Sequence, residues 1–394
     1  MKNPVTCDIF CTVVDNFGDI GVCWRLARQL AHEHGVAVRL WVDDLASFSK
    51  LCPELKVALP QQSCKGVEIR HWHHASLIPF PASFVNTPVR PVHLVIEAFA
   101  CKLPESVLAE MAAQTFPPVW INLEYLSAED WVEGCHQLPS PHPALPLIKY
   151  FFFPGFTFKT GGVLLEKDLL TRRDAFQGSD ALQQVFWRSL GLDMPQADTL
   201  KVSLFAYENP ALHGLFDSWA NGAKAVLCLV PEGRILPQVE QYFEGARSYI
   251  RGNLQVCVLP FVEQERYDEL LWACDLNFVR GEDSFVRAQW ADKPFVWQIY
   301  PQQDGVHRQK LHAFMARYCA GLQPDAAQAL YGLWEEWNGE AGSSQNLNNF
   351  LKHLFMLQKH TQVWANELSA NSLVLNLLDF SLSIDRMRDS ENLV

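Results

Sequence analysis

Short apolar runs alternate with helix-length amphipathic stretches, and the series occurs twice along the chain. No other feature limits the available folds as much. In the first third, CDIFCTVV (7–14), VAVRLWVDD (36–44), GVEIRHW (66–72), VHLVIEAFAC (92–101) and PVWINLEYL (118–126) read as strands bounded by turn residues. Residues 22–34 place Trp24, Ala27 and Leu30 at helical spacing, Gly35 stops that helix, and PESVLAEMAAQ (104–114) is a second helix. A second series, LKVSLFAYE (200–208), AKAVLCLV (223–230), LQVCVLPFV (254–262), LNFVR (276–280) and PFVWQIY (294–300), has helices predicted at 209–220, 264–273 and 284–292 between its strands. Strands separated by helices form βαβ units and a parallel sheet. The chain of 394 residues is too long for one ordinary core. The pattern therefore predicts two α/β halves. Proline-rich QLPSPHPALP (137–146) reads as the crossing between them, residues 172–190 as a polar helical region, and the tail after Leu322 as mostly helical with a frayed end.

Composition narrows the functional classes. The chain is 49% apolar and 19% charged, the make-up of a folded soluble domain, and its 13 Trp and 25 Phe need a core or a ligand to cover them. A net charge of −12 argues against a nucleic-acid backbone as partner and suits a basic one better. Eleven cysteines without CxxC spacing or a leader sequence read as reduced thiols, and no apolar stretch is long enough to span a bilayer. The expectation is a cytoplasmic protein with no membrane partner.

Two turns carry the chemistry. In the second half, strand LNFVR leads through RGEDS (280–284) into helix FVRAQWADK (285–293), with Ser284 read as the helix N-cap. A helix N-terminus at the carboxyl end of a strand suits an anionic group, and Arg280 can add charge and paired hydrogen bonds to a diphosphate. Arg287, one turn on, reads as solvated. The bland reading of the same residues is a capped helix with a surface arginine. Near the start, VDNFGDIGVCWRLARQL (14–30) places Asp15 and Asp19 where a phosphate-binding turn would carry none, and GxGxxG is missing. On the residues alone, Asp15 reads first as a helix cap, and Asp19 reads equally as a cap or a functional acid. Phe205 and Tyr207 share one strand face and could stack on a base or sugar, although such aromatics, like Phe261 and Tyr300, are core by default. Glu124 and Tyr125 read equally as cleft lining or as a buried hydrogen-bonded pair. HWHH (71–74) has no third ligand nearby, so no metal site is expected there. Cys7 and Cys11 read as small hydrophobes, and FFFPGFTF (151–158) as buried packing.

The second half resembles the nucleotide-binding half of a GT-B glycosyltransferase, and the sequence has no Asp-x-Asp triplet of the kind that holds a metal–diphosphate. More specifically, DNFGDIGVCWRLARQL (15–30), WINLEYLSAEDW (120–131), FFPGFTFKTGG (152–162) and FVRGEDSFVRAQW (278–290) resemble the EarP family of arginine rhamnosyltransferases, in order from Asp15 to about Tyr300.

The resemblance implies a GT-B fold: two doubly wound Rossmann-like domains facing a central cleft. Residues 1–165 would bind the acceptor, residues 166–361 the nucleotide-sugar, and a helix at about 362–385 would return to the first domain. It implies a metal-independent, inverting transfer of L-rhamnose from dTDP-β-L-rhamnose to an arginine in the N-terminal domain of translation elongation factor P, activating that factor for ribosomes stalled at polyproline. No cofactor is implied. Asp19 would be general base, Asp15 would lie nearby, and Asn16, Phe17 and Gly18 would line the acceptor side. Arg280, Glu282, Asp283 and Ser284 match the donor motif, with Arg280 and Glu282 in catalytic contact. Phe205, Tyr207, Phe261 and Tyr300 would surround nucleotide and sugar. From another class, a nucleotide-binding regulatory or scaffold protein would use the same Arg280 turn without chemistry; a Rossmann oxidoreductase is disfavoured by the aspartates at the first turn.

Overall fold

A computed structural model describes residues 5–14, 17–72, 93–244, 249–302, 305–339 and 346–391. The chain divides into two compact units, one of Met1–Lys167 with Leu368–Val394 and the other of Asp168–Glu367.

In the first unit, the strands are β1 (Thr6–Cys11), β2 (Ala37–Val42), β3 (Gln61–Cys64), β4 (Val67–His71), β5 (Leu94–Ala98), β6 (Val119–Leu123), β7 (Pro139–Pro141) and β8 (Ile148–Phe152). They form one sheet in the order β3-β4-β2-β1-β5-β6-β8-β7, antiparallel only at its edges, β3 with β4 and β7 with β8. From β1 the chain winds first through β2 to β4, then returns to β5, β6 and β8 on the other side. β1, β5 and β6 are buried along their whole length, as strands covered on both faces must be. Asp8, the one charge in β1, survives there because Arg39, its register partner on β2, binds it through Nε at 2.5 Å and Nη2 at 2.6 Å, while Trp41 Nε1 adds a bond at 3.2 Å.

The first helix, Gly18–His34, begins four residues earlier than its apolar spacing predicts, because the Phe17 carbonyl accepts the Gly21 N–H at 2.9 Å and draws both glycines into the first turns. Gly35, at φ 64°, closes it by returning its N–H to Leu30 O. The proline-rich run is not a crossing between the halves. Pro139–Pro141 is edge strand β7, where missing N–H groups cost no ladder bonds, and it lies inside the first unit. Phe152 and Phe153 are buried, whereas Phe158 is 78% exposed, so FFFPGFTF is packing only in part.

The C-terminal helix Leu373–Glu391 belongs to this first unit. Val163 and Ser372 form an isolated parallel bridge, with Val163 N–H on Asn371 O and Leu373 N–H on Val163 O, each at 3.1 Å. Phe380 packs edge-on against Tyr150 at 5.3 Å. Gly162 makes this docking possible: it stands at φ 80°, with Asn371 O where a side chain would begin.

The second unit carries β9 (Leu200–Leu204), β10 (Val226–Pro231), β11 (Ile250–Arg251), β12 (Leu254–Leu259), β13 (Leu276–Arg280) and β14 (Phe295–Gln298), in the order β11-β12-β10-β9-β13-β14. All pairs are parallel except β11 with β12. Here too the chain winds from a central strand, β9, first to β10 and β12 and then to β13 and β14 on the other side. Much of the aromatic content lies in this core: Trp219, Trp290, Trp334 and Trp337 are each no more than 2% exposed. Both units are thus doubly wound, and each has a crevice where the winding reverses: between the carboxyl ends of β1 and β5, and of β9 and β13.

Gly162→Ala is expected to lower the stability of the first unit by about 3 kcal/mol, through a strained left-handed residue and a clash with the Asn371 backbone. The thermal unfolding midpoint should fall accordingly; an unchanged midpoint would mean that this docking contributes nothing.

Candidate functional site

At the β9/β13 crevice, Arg280 is the last residue of β13 and is 5% exposed. Its guanidinium carbon lies 4.5 Å from the ring centre of Phe205 and 4.4 Å from that of Tyr207, the residues that follow β9. Two aromatic contacts fix this positive charge at the carboxyl edge of the sheet. Tyr300, beyond β14, packs edge-on against Tyr207 at 5.5 Å and is 37% exposed. Behind them, Tyr267 packs on Phe205 at 5.6 Å, and burial pushes its phenol pKa up, so the ring stays neutral. Gln298 accepts the Tyr207 N–H at 2.9 Å and donates to Glu208 O at 3.3 Å, tying the end of β9 to β14.

The turn after Arg280 differs in detail from its sequence reading. Gly281 takes φ 61°, its carbonyl accepting Trp297 Nε1–H at 2.9 Å, and Glu282 is the N-cap of the helix Asp283–Gln289. Ser284 is therefore inside the helix and not its cap. Its hydroxyl accepts the Arg280 N–H at 3.1 Å and donates to the Arg280 carbonyl, so it closes the turn that aims Arg280. Glu282 lies 3.9 Å from Lys310 Nζ, and Asp283 accepts Gln264 Nε2–H at 3.2 Å. Arg287 is not solvated. It is 2% exposed and makes a two-bond pair with Asp268 at 2.8 Å each, locking this helix to Gln264–Ala273. Phe261 lies two residues beyond β12, on the same sheet edge but two strands from β9, and is partly exposed.

At the β1/β5 crevice, Asp19 is the second residue of the helix Gly18–His34 and is 2% exposed. Its Oδ2 accepts the N–H of Val14, upstream of the helix, at 2.9 Å, and its Oδ1 accepts the hydroxyl of Tyr125 at 2.9 Å. The side chain thus ties the loop after β1 to the loop after β6, which an ordinary N-cap does not do. Phe17 is the helix N-cap without a side-chain bond, and Gly18 is the first helical residue. Asp15 and Asn16 lie outside the described residues. Tyr125 stacks on Phe99 at 4.3 Å between ring centres, the planes 13° apart. Glu124, half-buried, accepts the side-chain amide of Asn122.

The cysteines at this edge are not poised as nucleophiles. A hydrogen bond with Cys23, then burial, then the charge of Asp19 push the Cys11 thiol pKa up, and burial does the same for Cys101. Cys7, wholly buried, packs as a small hydrophobe. His71 bonds to Asp43 O at 2.9 Å; His73 and His74 lie outside the described residues. Among the described residues, Cys52, Glu54 and Cys64 have metal-ligand spacing, and none of them follows β1, β5, β9 or β13. Sequence reasoning missed Tyr267, Gln298, Lys310 and Phe99. Only Phe99, at the end of an apolar strand, carried a local signal.

Two doubly wound sheets, each with polar side chains gathered at the reversal of its winding, define a GT-B-type glycosyltransferase fold. A UDP-glucosyltransferase from Polygonum tinctorium shares it at TM-score 0.53 and 11% identity, covering 96% of this chain and 98% of the other. Residues 7–382 match the family described as Elongation-Factor P (EF-P) rhamnosyltransferase EarP, and the chain belongs to that family. It is 50% identical over 381 residues to the protein-arginine rhamnosyltransferase of Pseudomonas putida, covering 95% of this chain and 98% of that one. It is 43% identical over 396 residues to that of Shewanella oneidensis, covering 95% and 96%. A solved structure described as the structural basis for EarP-mediated arginine glycosylation of translation elongation factor EF-P matches at TM-score 0.65 and 36% identity, covering 96% of this chain and 99% of the other. The protein is a glycosyltransferase, and no helix among its described residues is long and apolar enough to cross a membrane.

Arg287→Ala, which strands the Asp268 carboxylate in the core, should destabilise the second unit by about 3–5 kcal/mol. Chemical denaturation followed by tryptophan fluorescence measures it; a loss below about 1 kcal/mol would mean that the pair is not a structural lock.

Proposed function

We propose that this chain transfers L-rhamnose from dTDP-β-L-rhamnose to an arginine side chain of translation elongation factor P, with inversion, in a single displacement and without a metal ion. The observation that carries this reading is Arg280, a cation pinned between Phe205 and Tyr207 at the β9/β13 crevice. A diphosphate placed there meets a desolvated guanidinium able to form paired hydrogen bonds and to stabilise charge as the sugar departs. Tyr300, partly exposed beside Tyr207, offers a flat face to the thymine or the sugar, and Phe261 another along the same edge. Glu282 and Asp283 repel phosphate, so they meet sugar hydroxyls. The helix behind them has only seven residues, which leaves Arg280 the main anion-holding group.

Asp19 would receive the other substrate. Guanidinium is always charged and its lone pairs are delocalised, so it is a poor nucleophile. A fixed carboxylate orients it and takes a proton as nitrogen bonds to the sugar C1 and the C1–O bond to the diphosphate breaks. Both Asp19 oxygens accept hydrogen bonds, from the Val14 N–H and the Tyr125 hydroxyl, so the carboxylate is fixed before the guanidinium arrives. Its contribution therefore lies in alignment and in proton acceptance within the transition state. One base and no enzyme nucleophile give inversion. Asp15 would assist on the same side, beside Asn16, Phe17 and Gly18.

Intact-mass analysis of elongation factor P incubated with this protein and dTDP-rhamnose should show a gain of one deoxyhexose, localised to an arginine. No gain, or a gain on another residue type, contradicts the reading. Asp19→Asn should abolish transfer while leaving thymidine diphosphate affinity within about twofold, whereas Arg280→Ala should weaken that affinity at least tenfold in calorimetry. The opposite pattern would reverse the two assignments.

A further inference from the structure

Three residues that follow β5, Phe99, Ala100 and Lys102, stand at φ 55°, 53° and 58°, where side chains other than glycine are disfavoured. Such conformations persist only where surrounding bonds hold them, and they gather at functional sites. The bonds here are specific. Phe99 N–H donates to Leu123 O at 2.7 Å and Cys101 N–H to Ala98 O at 3.2 Å. Lys102 N–H donates to Glu97 Oε1 at 3.1 Å. Glu97, only 2% exposed, is held in turn by Trp120 Nε1 at 3.1 Å and Lys149 Nζ at 3.3 Å.

Glycine would serve such a turn with less strain. A phenylalanine at position 99 is useful for its ring, and that ring lies flat on Tyr125, 4.3 Å away with the planes 13° apart. Two stacked rings leave Tyr125 little freedom to swing, and its hydroxyl ends on Asp19 Oδ1 at 2.9 Å.

From this chain of contacts we infer that Tyr125, clamped by the left-handed Phe99 turn, is a positioning residue that fixes the Asp19 carboxylate for proton acceptance. The inference rests on the reading of Asp19 as the base. With the Val14 N–H on Oδ2 and this hydroxyl on Oδ1, the carboxylate is held in one orientation for the incoming guanidinium.

The test is steady-state kinetics of the full chain with dTDP-rhamnose and the protein acceptor. Tyr125→Phe removes the hydroxyl and keeps the ring. It should lower kcat about ten- to hundredfold and leave the KM for the nucleotide-sugar unchanged. A merely structural tyrosine would lower the amount of folded protein and not the kcat of the folded enzyme. Phe99→Leu keeps the hydroxyl but loosens the clamp, and should lower kcat roughly threefold with donor KM unchanged, a smaller loss because the bond survives. Native kcat in Tyr125→Phe would overturn the inference, as would a loss confined to donor KM. If Tyr125→Phe fails to fold, Phe99→Leu decides: native kcat there overturns it. Asp19→Asn run in parallel separates the two readings. An active Asp19→Asn removes the base itself, while an inactive Asp19→Asn beside a native-like Tyr125→Phe removes only the positioning role.

Discussion

A parallel sheet wound outward from its middle strand leaves one place where neighbouring connections depart in opposite directions, and no backbone covers the carboxyl ends there. β1 and β5 bound that place in the first unit, and β9 and β13 bound it in the second. The side chains discussed above follow from it. Asp19 comes from the first turn of the helix after β1, Tyr125 from the loop after β6, Phe99 from the end of β5, Phe205 and Tyr207 from the end of β9, and Arg280 from β13 itself. The same fold geometry collects an acid in one unit and a cation in the other; residue type at the strand ends makes the difference.

Such sheets must be apolar on both faces, yet this protein places charges within them and between their helices. It does so in pairs. Asp8 with Arg39, Glu97 with Lys149, and Asp268 with Arg287 each place a buried charge beside an opposite one, at 2.5, 3.3 and 2.8 Å. Two of these pairs reach toward the crevices. Glu97 holds the backbone of the turn that carries Phe99, and Arg287 holds the helix whose start carries Glu282, Asp283 and Ser284. Buried ion pairs add little net stability against apolar substitutes, but removing one partner is costly. They therefore act here as specific locks on the segments that carry the candidate site residues.

Much of this architecture was legible in the sequence, because fully buried parallel strands leave uninterrupted apolar runs and helices leave a 3.6-residue period. Except for β8, whose FFFPGFTF run read only as packing, the main strands of both sheets were marked in that way, and the RGEDS turn and Asp19 stood out as charge near strand ends. Short edge strands were not legible. β3, β7 and β11 have two to four residues, and the prolines of β7 signal a loop unless the edge position is known. Ser284 looked like a cap because cap and first-turn positions share residue preferences, and only the Gly281 turn shifts the helix start to Asp283. Arg287 looked solvated because Asp268 lies 19 residues away, and tertiary pairing leaves no local pattern. Tyr125 was visible only as a polar aromatic after a strand. Its bond to Asp19 spans 106 residues and exists only once the sheet has formed.

In the proposed reaction the labour is divided between the units: a cation held on aromatic rings would take the donor's diphosphate, and an oriented carboxylate would take the cationic acceptor. A crystal structure of the protein with thymidine diphosphate tests this most directly. The account predicts the diphosphate against the Arg280 guanidinium, with the nucleoside beside Tyr207 and Tyr300. Density for the ligand at Gly18 and Asp19, with Arg280 untouched, would contradict it.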